Sequence, residues 1–345
     1  MSVNPDHPAA NHQVVLARRP AGPVALDDFR LETAPVPSRG ADEVLLRNIF
    51  ASVSPAARAA MQGPTYRPQL TEGEVIPAGV VAEVVAGPPA GPPPGTLVAT
   101  LFGGWANYTA VPATAVRELP LDLRGPLVRH LSLYGLNGLT GYFGVVGVAR
   151  VRAEETVVVS GAAGGVGHVA GQVARLVGAR VVGITGSDRK NAVLEKELGF
   201  AATVNRHSDS FGDDLRAACP DGVDAYFDTV GGPMLETVLP LMAGHGRVVC
   251  CGATAQYDAD QPPDRGPRGF PLLAIVKSLR IEGFLVHDFQ ADWSEALTRL
   301  DQWAEGGQLT VLEDVRDGLG SAAAAMVDLM AGNSTGQLAV RVAGL

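Results

Sequence analysis

Hydrophobic positions fall in two different rhythms along the chain. Up to about residue 125, short apolar, β-branched runs at 14–17, 43–49, 79–85 and 97–101 are separated by turn formers, which predicts strands of a compact, partly open β-barrel. Within this part the stretch AGPPAGPPPG, residues 86–95, reads as a rigid surface connection between strands. From Thr156 the rhythm changes. Apolar strands at 156–160, 180–185, 202–205, 225–228 and 247–251 alternate with helical patterns at 165–176, 188–198, 210–219 and 234–242. Continuous Val-rich strands between helices predict a parallel sheet covered on both faces, a doubly wound α/β domain. A sixth strand at 279–286 completes that sheet, an amphipathic helix at 293–304 follows, and a strand at 337–342 returns to the first domain.

A chain of 345 residues with 46% hydrophobic content suits two such domains, and no internal period suggests a repeat array. The formal charge of -9 argues against nucleic acid or an anionic membrane as a partner. The N-terminus, MSVNPDHPAANHQ, lacks the apolar stretch of a signal peptide and is expected to be a disordered lead-in, so the cytoplasm is the expected location. The longest apolar tract, VVVSGAAGGVGHVAGQVARLVGARVVGI, could span a membrane by length alone, but His168, Gln172, Arg175, Arg180 and its glycines mark it as a core β-α-β unit. Of the three cysteines, Cys219, Cys250 and Cys251, two are adjacent, so neither a disulfide framework nor a C-x-x-C metal site can be drawn. They are expected to be packing residues, and no metal is expected.

Two glycine runs share the spacing G-x-x-G-x-x-G. Gly135, Gly138 and Gly141 follow LVRHLSL, which does not read as a strand, whereas Gly161, Gly164 and Gly167 directly follow TVVVS and open a helix. Only the second has the context that dinucleotide binding needs: a tight turn, close backbone approach, and amides aimed at a pyrophosphate. Simple tight packing of helix on strand is the alternative. The second strand runs into Gly186, Ser187, Asp188, Arg189 and Lys190. Asp188 leaves NAD open, but it stands beyond the strand where it can cap the next helix. Ser187 and Lys190, joined by Arg206 after the third strand, can reach a 2'-phosphate and point to NADP.

The segments GAAGGVG, GSDRK, FDTVGG, CGATAQY and RIEGFLV occur in an order that resembles the zinc-independent medium-chain dehydrogenase/reductase superfamily, in its branch of prostaglandin reductases, alkenal double-bond reductases and curcumin-reductase-like enzymes. QVVLARRP, VLLRNIFASVSPAAR and GLNGLTGYFGV extend the resemblance over nearly the whole chain. It implies a GroES-like substrate domain over residues 1–130 and 310–345, a Rossmann domain with a six-stranded sheet over 131–309, and a homodimer. It also implies hydride transfer from NADPH to the β-carbon of an α,β-unsaturated ketone or aldehyde, without zinc. Carried over by position, Gly164, Gly165, Val166 and Gly167 form the phosphate loop, and Lys190 meets the 2'-phosphate. Arg206 stands in place of a tyrosine that shares this contact, the segment from Cys251 and Gly252 to Tyr257 runs beside the cofactor, and Phe284, Leu285 and Val286 line the nicotinamide. There are departures. Ser54-Pro55-Ala56-Ala57-Arg58 lacks the acid and the aromatic of the pattern D-P-Y-x-R, Thr229 replaces an asparagine, and Ser334 replaces another at the nicotinamide end.

Hydride addition to an enone places negative charge on its oxygen, so a metal-free site needs a donor there and later a proton at the α-carbon. Tyr257, after the fifth strand of the parallel sheet, is the first candidate, and the resemblance places a functional tyrosine at the same position. Tyr66, in GPTYRPQ, is the second. His168 beside the glycine loop, His245 in a turn and His287 at a strand end are expected to be packed or solvated. A quinone or carbonyl reductase, or an NADPH-binding protein without turnover, are the competing readings, since fold and cofactor site do not fix the acceptor.

Overall fold

The computed structural model describes residues 10–63, 68–120, 125–258 and 269–343. In chain order the first part holds β1 (Asn11–Leu16), β2 (Phe29–Ala34), β3 (Glu43–Ser52), α1 (Pro55–Gln62), β4 (Pro77–Ala86), β5 (Leu97–Gly104), β6 (Tyr108–Pro112) and β7 (Val116–Glu118). The second holds α2 (Leu136–Phe143), β8 (Thr156–Val159), α3 (Gly167–Leu176), β9 (Arg180–Thr185), α4 (Asp188–Lys196), β10 (Ala202–Asn205), α5 (Phe211–Ala218) and β11 (Val223–Asp228). It continues with α6 (Gly232–Val238), β12 (Met242–Cys250), α7 (Phe270–Lys277), β13 (Arg280–Gly283) and α8 (Trp293–Glu305), and the chain closes with β14 (Glu313–Asp317), α9 (Ala322–Met330) and β15 (Gln337–Arg341). Contacts divide the chain into two units. One combines the residues up to Leu131 with Glu313–Ser334 and those from Leu338; the other combines Ser132–Leu312 with Thr335–Gln337.

The first unit is built on a sheet in the order β14-β15-β3-β4-β5-β7, with β6 also paired to β3. The pairings of β3 with β4, β6 and β15, and of β5 with β4 and β7, are antiparallel. Strand β3 sits at its centre because both its faces are apolar: Val44 and Leu46 pack into one cluster with Trp105, and Ile49 and Phe50 into another with Ala339. Strands β2, β6, β7 and β14 were not anticipated. Their sequences FRLETA, YTAVP, VRE and EDVRD are short or mostly polar, so neighbours rather than periodicity make them strands.

In the second unit the parallel order is β10-β9-β8-β11-β12-β13. Successive strand residues point to opposite faces. Accordingly Val157 and Val159 pack with Val169, Val173 and Phe227 on one side, while Val158 packs with Tyr226, Val248 and Leu215 on the other. Each such buried side chain contributes about 1.5 to 3 kcal/mol relative to exposure, which is why uninterrupted valines form strands here. The strand order reverses between β8 and β11, which opens a crevice at their carboxyl ends.

Several boundaries differ from the sequence reading. Helix α6 ends at Val238 rather than 242, and a short 3-10 turn, Leu239–Leu241, carries Pro240, which has no N–H to continue an α-helix. Strand β12 then starts at Met242, and His245, expected in a turn, lies inside it with φ of 61°. Strand β13 covers only Arg280–Gly283, because Val286 already starts a 3-10 turn, Val286–Asp292, which also contains His287.

The first glycine run turns out to be a packing face. Helix α2 and the π-helical segment Gly144–Ala149 that continues it were not predicted. A Cβ on Gly138 would stand 1.9 Å from the Leu133 carbonyl oxygen, one on Gly141 2.9 Å from the Ala170 nitrogen, and one on Gly144 2.3 Å from the Phe227 ring. Glycines spaced at three therefore let this helix press against its neighbours, a use that has nothing to do with phosphate. Among the described residues, no helix is long and apolar enough to cross a membrane.

Candidate functional site

Strand β8 leads into the second glycine run at the reversal of strand order. Gly161 has φ of 56°, a conformation that a side chain would strain, and its Cβ would lie 2.6 Å from Thr229 Oγ1. Gly164 N–H donates to the Gly161 carbonyl at 2.8 Å and closes the turn. A Cβ on Gly167 would meet that same carbonyl oxygen at 2.3 Å, so only glycine lets α3 start this close to the strand. A Cβ on Gly165 would meet Asn137 Nδ2 at 2.5 Å. Helix α3 begins at Gly167, two residues later than expected, because Val166 is its N-cap and the preceding glycines belong to the turn. The first-turn amides of a helix have no acceptor within it, and its N-terminus carries a partial positive charge. Gly164, Gly165, Val166 and Gly167 thus form a side-chain-free turn at the N-terminus of α3.

Across the crevice, Asp228 at the end of β11 is nearly inaccessible and organises its surroundings. One carboxylate oxygen, Oδ1, accepts from Ser160 Oγ, Tyr226 OH, Val230 N and Gly231 N, each at 2.9 Å. Thr229, at the position of the absent asparagine, donates through Oγ1 to the Ser160 carbonyl at 2.9 Å, while its N–H donates to Ser160 Oγ at 2.8 Å. Its hydroxyl therefore ties β8 to β11 beneath the loop. Sequence reasoning passed over Ser160 and Asp228, although both sit at strand ends in quoted motifs. Their signal is the position after an apolar strand on either side of the reversal point.

At the end of β9, Ser187 rather than Asp188 caps α4, accepting from the Lys190 N–H at 3.4 Å. The extended backbone of Ser187, φ -163°, is what an N-cap requires, whereas Asp188 is already helical. Asp188 instead accepts from Asn205 Nδ2 at 2.9 Å. Lys190 is buried, and burial first, then Arg189 and Arg206, hold its ammonium below the usual lysine range. Arg206 follows β10, its N–H donates to the Thr185 carbonyl at 2.8 Å, and its Nε lies 3.2 Å from where a Gly186 Cβ would be. Three cations crowd one strand end. Their mutual repulsion is the arrangement that an added dianion relieves.

The Cys251 to Tyr257 segment leaves β12 beside Thr229. Cys251 and Gly252 donate their N–H groups to the Asp228 carbonyl at 2.8 and 3.1 Å. Burial pushes the Cys251 thiol up to about 12 and the Cys219 thiol up to about 11, so neither is poised as a thiolate. Tyr257 is half-buried, and its hydroxyl accepts from the Ala253 N–H at 3.5 Å, which turns the phenol back over its own loop. Val286 is buried in the core cluster and Phe284 packs against it, standing edge-on to Phe289 with ring centroids 6.2 Å apart. Leu285 is 46% exposed. Ser334 is buried in the first unit, and Tyr66 lies outside the described residues. In the first unit, the departed motif places Ser54 before α1, Pro55 in its first turn, and Arg58 fully buried with its guanidinium donating to the Gly22 carbonyl at 2.8 Å.

Among the described residues, no three His, Cys, Asp or Glu side chains converge as metal ligands. His168 is fully buried at the start of α3, and burial lowers its imidazole to about 4.

Residues 12–119 match the family model described as the N-terminal domain of oxidoreductase, and residues 165–302 match that of zinc-binding dehydrogenase. The NADPH-dependent curcumin reductase of Escherichia coli is 33% identical over 339 residues, covering 97% of both chains. The chain belongs to the zinc-independent medium-chain dehydrogenase/reductases. Mouse prostaglandin reductase 1 is 38% identical to this medium-chain reductase over 318 residues, covering 91% of this chain and 94% of the mouse protein. The crystal structure of CurA from Vibrio vulnificus in complex with NADPH superposes on it with a TM-score of 0.92 at 28% identity, over 97% of this chain and all of that one.

Proposed function

We propose that the protein reduces the C=C bond of α,β-unsaturated ketones or aldehydes at the expense of NADPH. The observation that carries the cofactor half is the convergence of Lys190, Arg189 and Arg206 at the end of β9, on the same sheet edge as a glycine cradle that excludes side chains. Gly164 to Gly167 would hold the pyrophosphate, and Lys190 with Arg206 the 2'-phosphate. Bound NADPH supplies a hydride. The names of the relatives, curcumin reductase and prostaglandin reductase, support an enone as acceptor. In this reading Tyr257 donates its phenolic proton toward the oxygen on which enolate charge develops, and Thr229 and Asp228 hold the strand ends that carry the loop and the tyrosine.

Product analysis separates the acceptors. With a simple enone and NADPH, the expected product is the saturated ketone. An allylic alcohol would assign carbonyl reduction, reduction confined to quinones would assign a quinone reductase, and NADPH binding without consumption over the whole panel would make the protein a binder.

The family expectation of a homodimer also finds a surface. Among the described residues strand β13 ends the sheet, and on the neighbouring helix α7 Leu272, Ile275 and Val276 are 66%, 75% and 72% exposed. An uncovered strand edge beside exposed apolar side chains invites pairing with a second copy. Antiparallel pairing about Ile281 would set Arg280 opposite Glu282 of the partner subunit, twice over. Light scattering at micromolar concentration is expected to give twice 35.7 kDa. E282K should shift the species to 35.7 kDa, and the exchange R280E/E282R should restore the dimer. A monomeric wild-type protein would remove this interface.

A further inference from the structure

His168 uses both ring nitrogens inside the second unit. Nδ1 is 2.8 Å from the Gly164 carbonyl oxygen, so it carries the proton and donates; Nε2 accepts from the Leu312 N–H at 3.2 Å. The main-chain N–H of His168 donates to the same Gly164 carbonyl at 3.1 Å. One residue therefore places two donors on one loop carbonyl. The ring is itself braced. Gln172, one turn further along α3, donates to the His168 carbonyl and to the Thr310 carbonyl, both at 2.9 Å, and accepts from the Thr310 N–H at 2.8 Å. Leu312, held by the ring, accepts from the Gln337 N–H at 2.8 Å, and the adjacent Gly336 N–H donates to the Ala163 carbonyl at 2.7 Å. Two chain segments, 309–312 and Thr335–Gln337, are thus tied to the glycine loop through α3.

We propose that His168 is a positioning residue for cofactor binding, which fixes the orientation of the Gly164–Gly165 peptide so that the Gly165 N–H faces the pyrophosphate site before the cofactor arrives. The argument rests on peptide planarity: in a trans peptide the C=O and the following N–H point in opposite directions. Turning the Gly164 carbonyl into the helix therefore turns the Gly165 amide out of its N-terminal end, where anions bind. Two glycines flank this peptide, and glycine populates both signs of φ about equally, so without a lock the peptide can rotate away. The backbone bond lies ahead of the first bond of α3 itself, which runs from the Ala170 N–H to the carbonyl of the N-cap Val166 at 3.0 Å. The imidazole adds a second donor in a site that excludes water, and its neutral state there follows from burial. An amide aimed in advance spares the bound complex the cost of ordering it.

The proposal rests on the loop being the NADPH site, and the test separates the two. Asparagine can place an amide donor near Nδ1 but cannot reach Leu312, glutamine can replace the Nε2 acceptor but loses the donor, and phenylalanine keeps the ring and loses both. NADPH affinity is read by fluorescence titration, alongside the melting temperature and KM against kcat with an enone. H168Q and H168F are expected to weaken NADPH roughly three- to tenfold, the range for loss of one hydrogen bond, with KM for NADPH rising more than kcat falls. H168N should lie nearer the wild type than H168Q, even if its melting temperature drops as far. Affinities that follow the melting temperatures without regard to donor or acceptor would reduce His168 to a packing residue, and so would affinities equal in all four proteins. Failure of the wild type to bind NADPH would remove the functional reading itself and the proposal with it. If H168F does not fold, the comparison of H168N with H168Q decides alone.

Discussion

Replacing Tyr257 by phenylalanine is expected to lower the rate of hydride transfer to a simple enone by about 10² to 10³, the range for removal of one donor from an oxyanion site. Phenols ionise at about pH 10 in water, so a protonated phenol can donate at neutral pH throughout the reaction. The substitution keeps the ring and leaves in place the backbone bonds that hold the segment, from the Thr254 N–H to the Thr229 carbonyl and from the Ala255 N–H to the Val230 carbonyl. It also removes the oxygen that accepts from the Ala253 N–H, a long contact at 3.5 Å and hence a weak one. NADPH affinity should accordingly change far less than the rate. Single-turnover reduction followed by NADPH absorbance isolates hydride transfer from product release. A loss of only about tenfold would mean that a ribose hydroxyl shares the role. An unchanged rate would make Tyr257 a wall residue and transfer the role to Tyr66.

The second large effect concerns cofactor choice. Lys190→Ala combined with Arg206→Ala is expected to weaken NADPH by about 10² to 10⁴ while leaving NADH nearly untouched, because charge-assisted hydrogen bonds to phosphate are worth about 1.5 to 3 kcal/mol each. The reasoning starts from the apo arrangement. Lys190 is held buried between two arginines that disfavour its charge, so part of the binding energy of a 2'-phosphate is the repulsion it removes. NADH lacks that phosphate and gains nothing from it. Fluorescence titration with both cofactors, on protein whose melting temperature has been measured, gives the ratio directly. Equal losses for the two would show that the cluster supports the fold of the strand end rather than selecting the cofactor.

Much of the second unit was legible because burial and periodicity agree there. Valines at 157–159 and 181–182 have to be strand residues once both faces of a sheet are covered, and the glycines after them have only one turn to make. The helix of LNGLTGYF was not legible for the opposite reason. Four glycines from Gly135 to Gly144 are poor helix formers, and only the Phe227 ring, the Leu133 carbonyl and the start of α3, all remote or outside any pattern, make their missing side chains favourable. The capping of α4 was misassigned by one residue, since Ser and Asp are equally good caps and only the backbone angle of Ser187 decides between them. At the strand ends, the tight glycine turn and the basic cluster of Lys190 and Arg206 could be read from the sequence. The Ser160–Asp228–Thr229 network could not, because it joins residues more than 60 positions apart through hydrogen bonds that leave no periodic trace.

The tie between the glycine loop and Thr335–Gln337 has a consequence for the order in which the molecule is made. Synthesis delivers the chain from its N-terminus. The loop and α3, up to Leu176, emerge long before Gly336 and Gln337. The Gly336 donor to Ala163 and the Gln337 donor to Leu312 can therefore be added only after the whole parallel sheet and α8 have been made. At that stage the growing chain carries a finished parallel sheet with an unbraced glycine loop. Any truncation that removes the final strand leaves the cradle in this immature state, however intact the sheet around it.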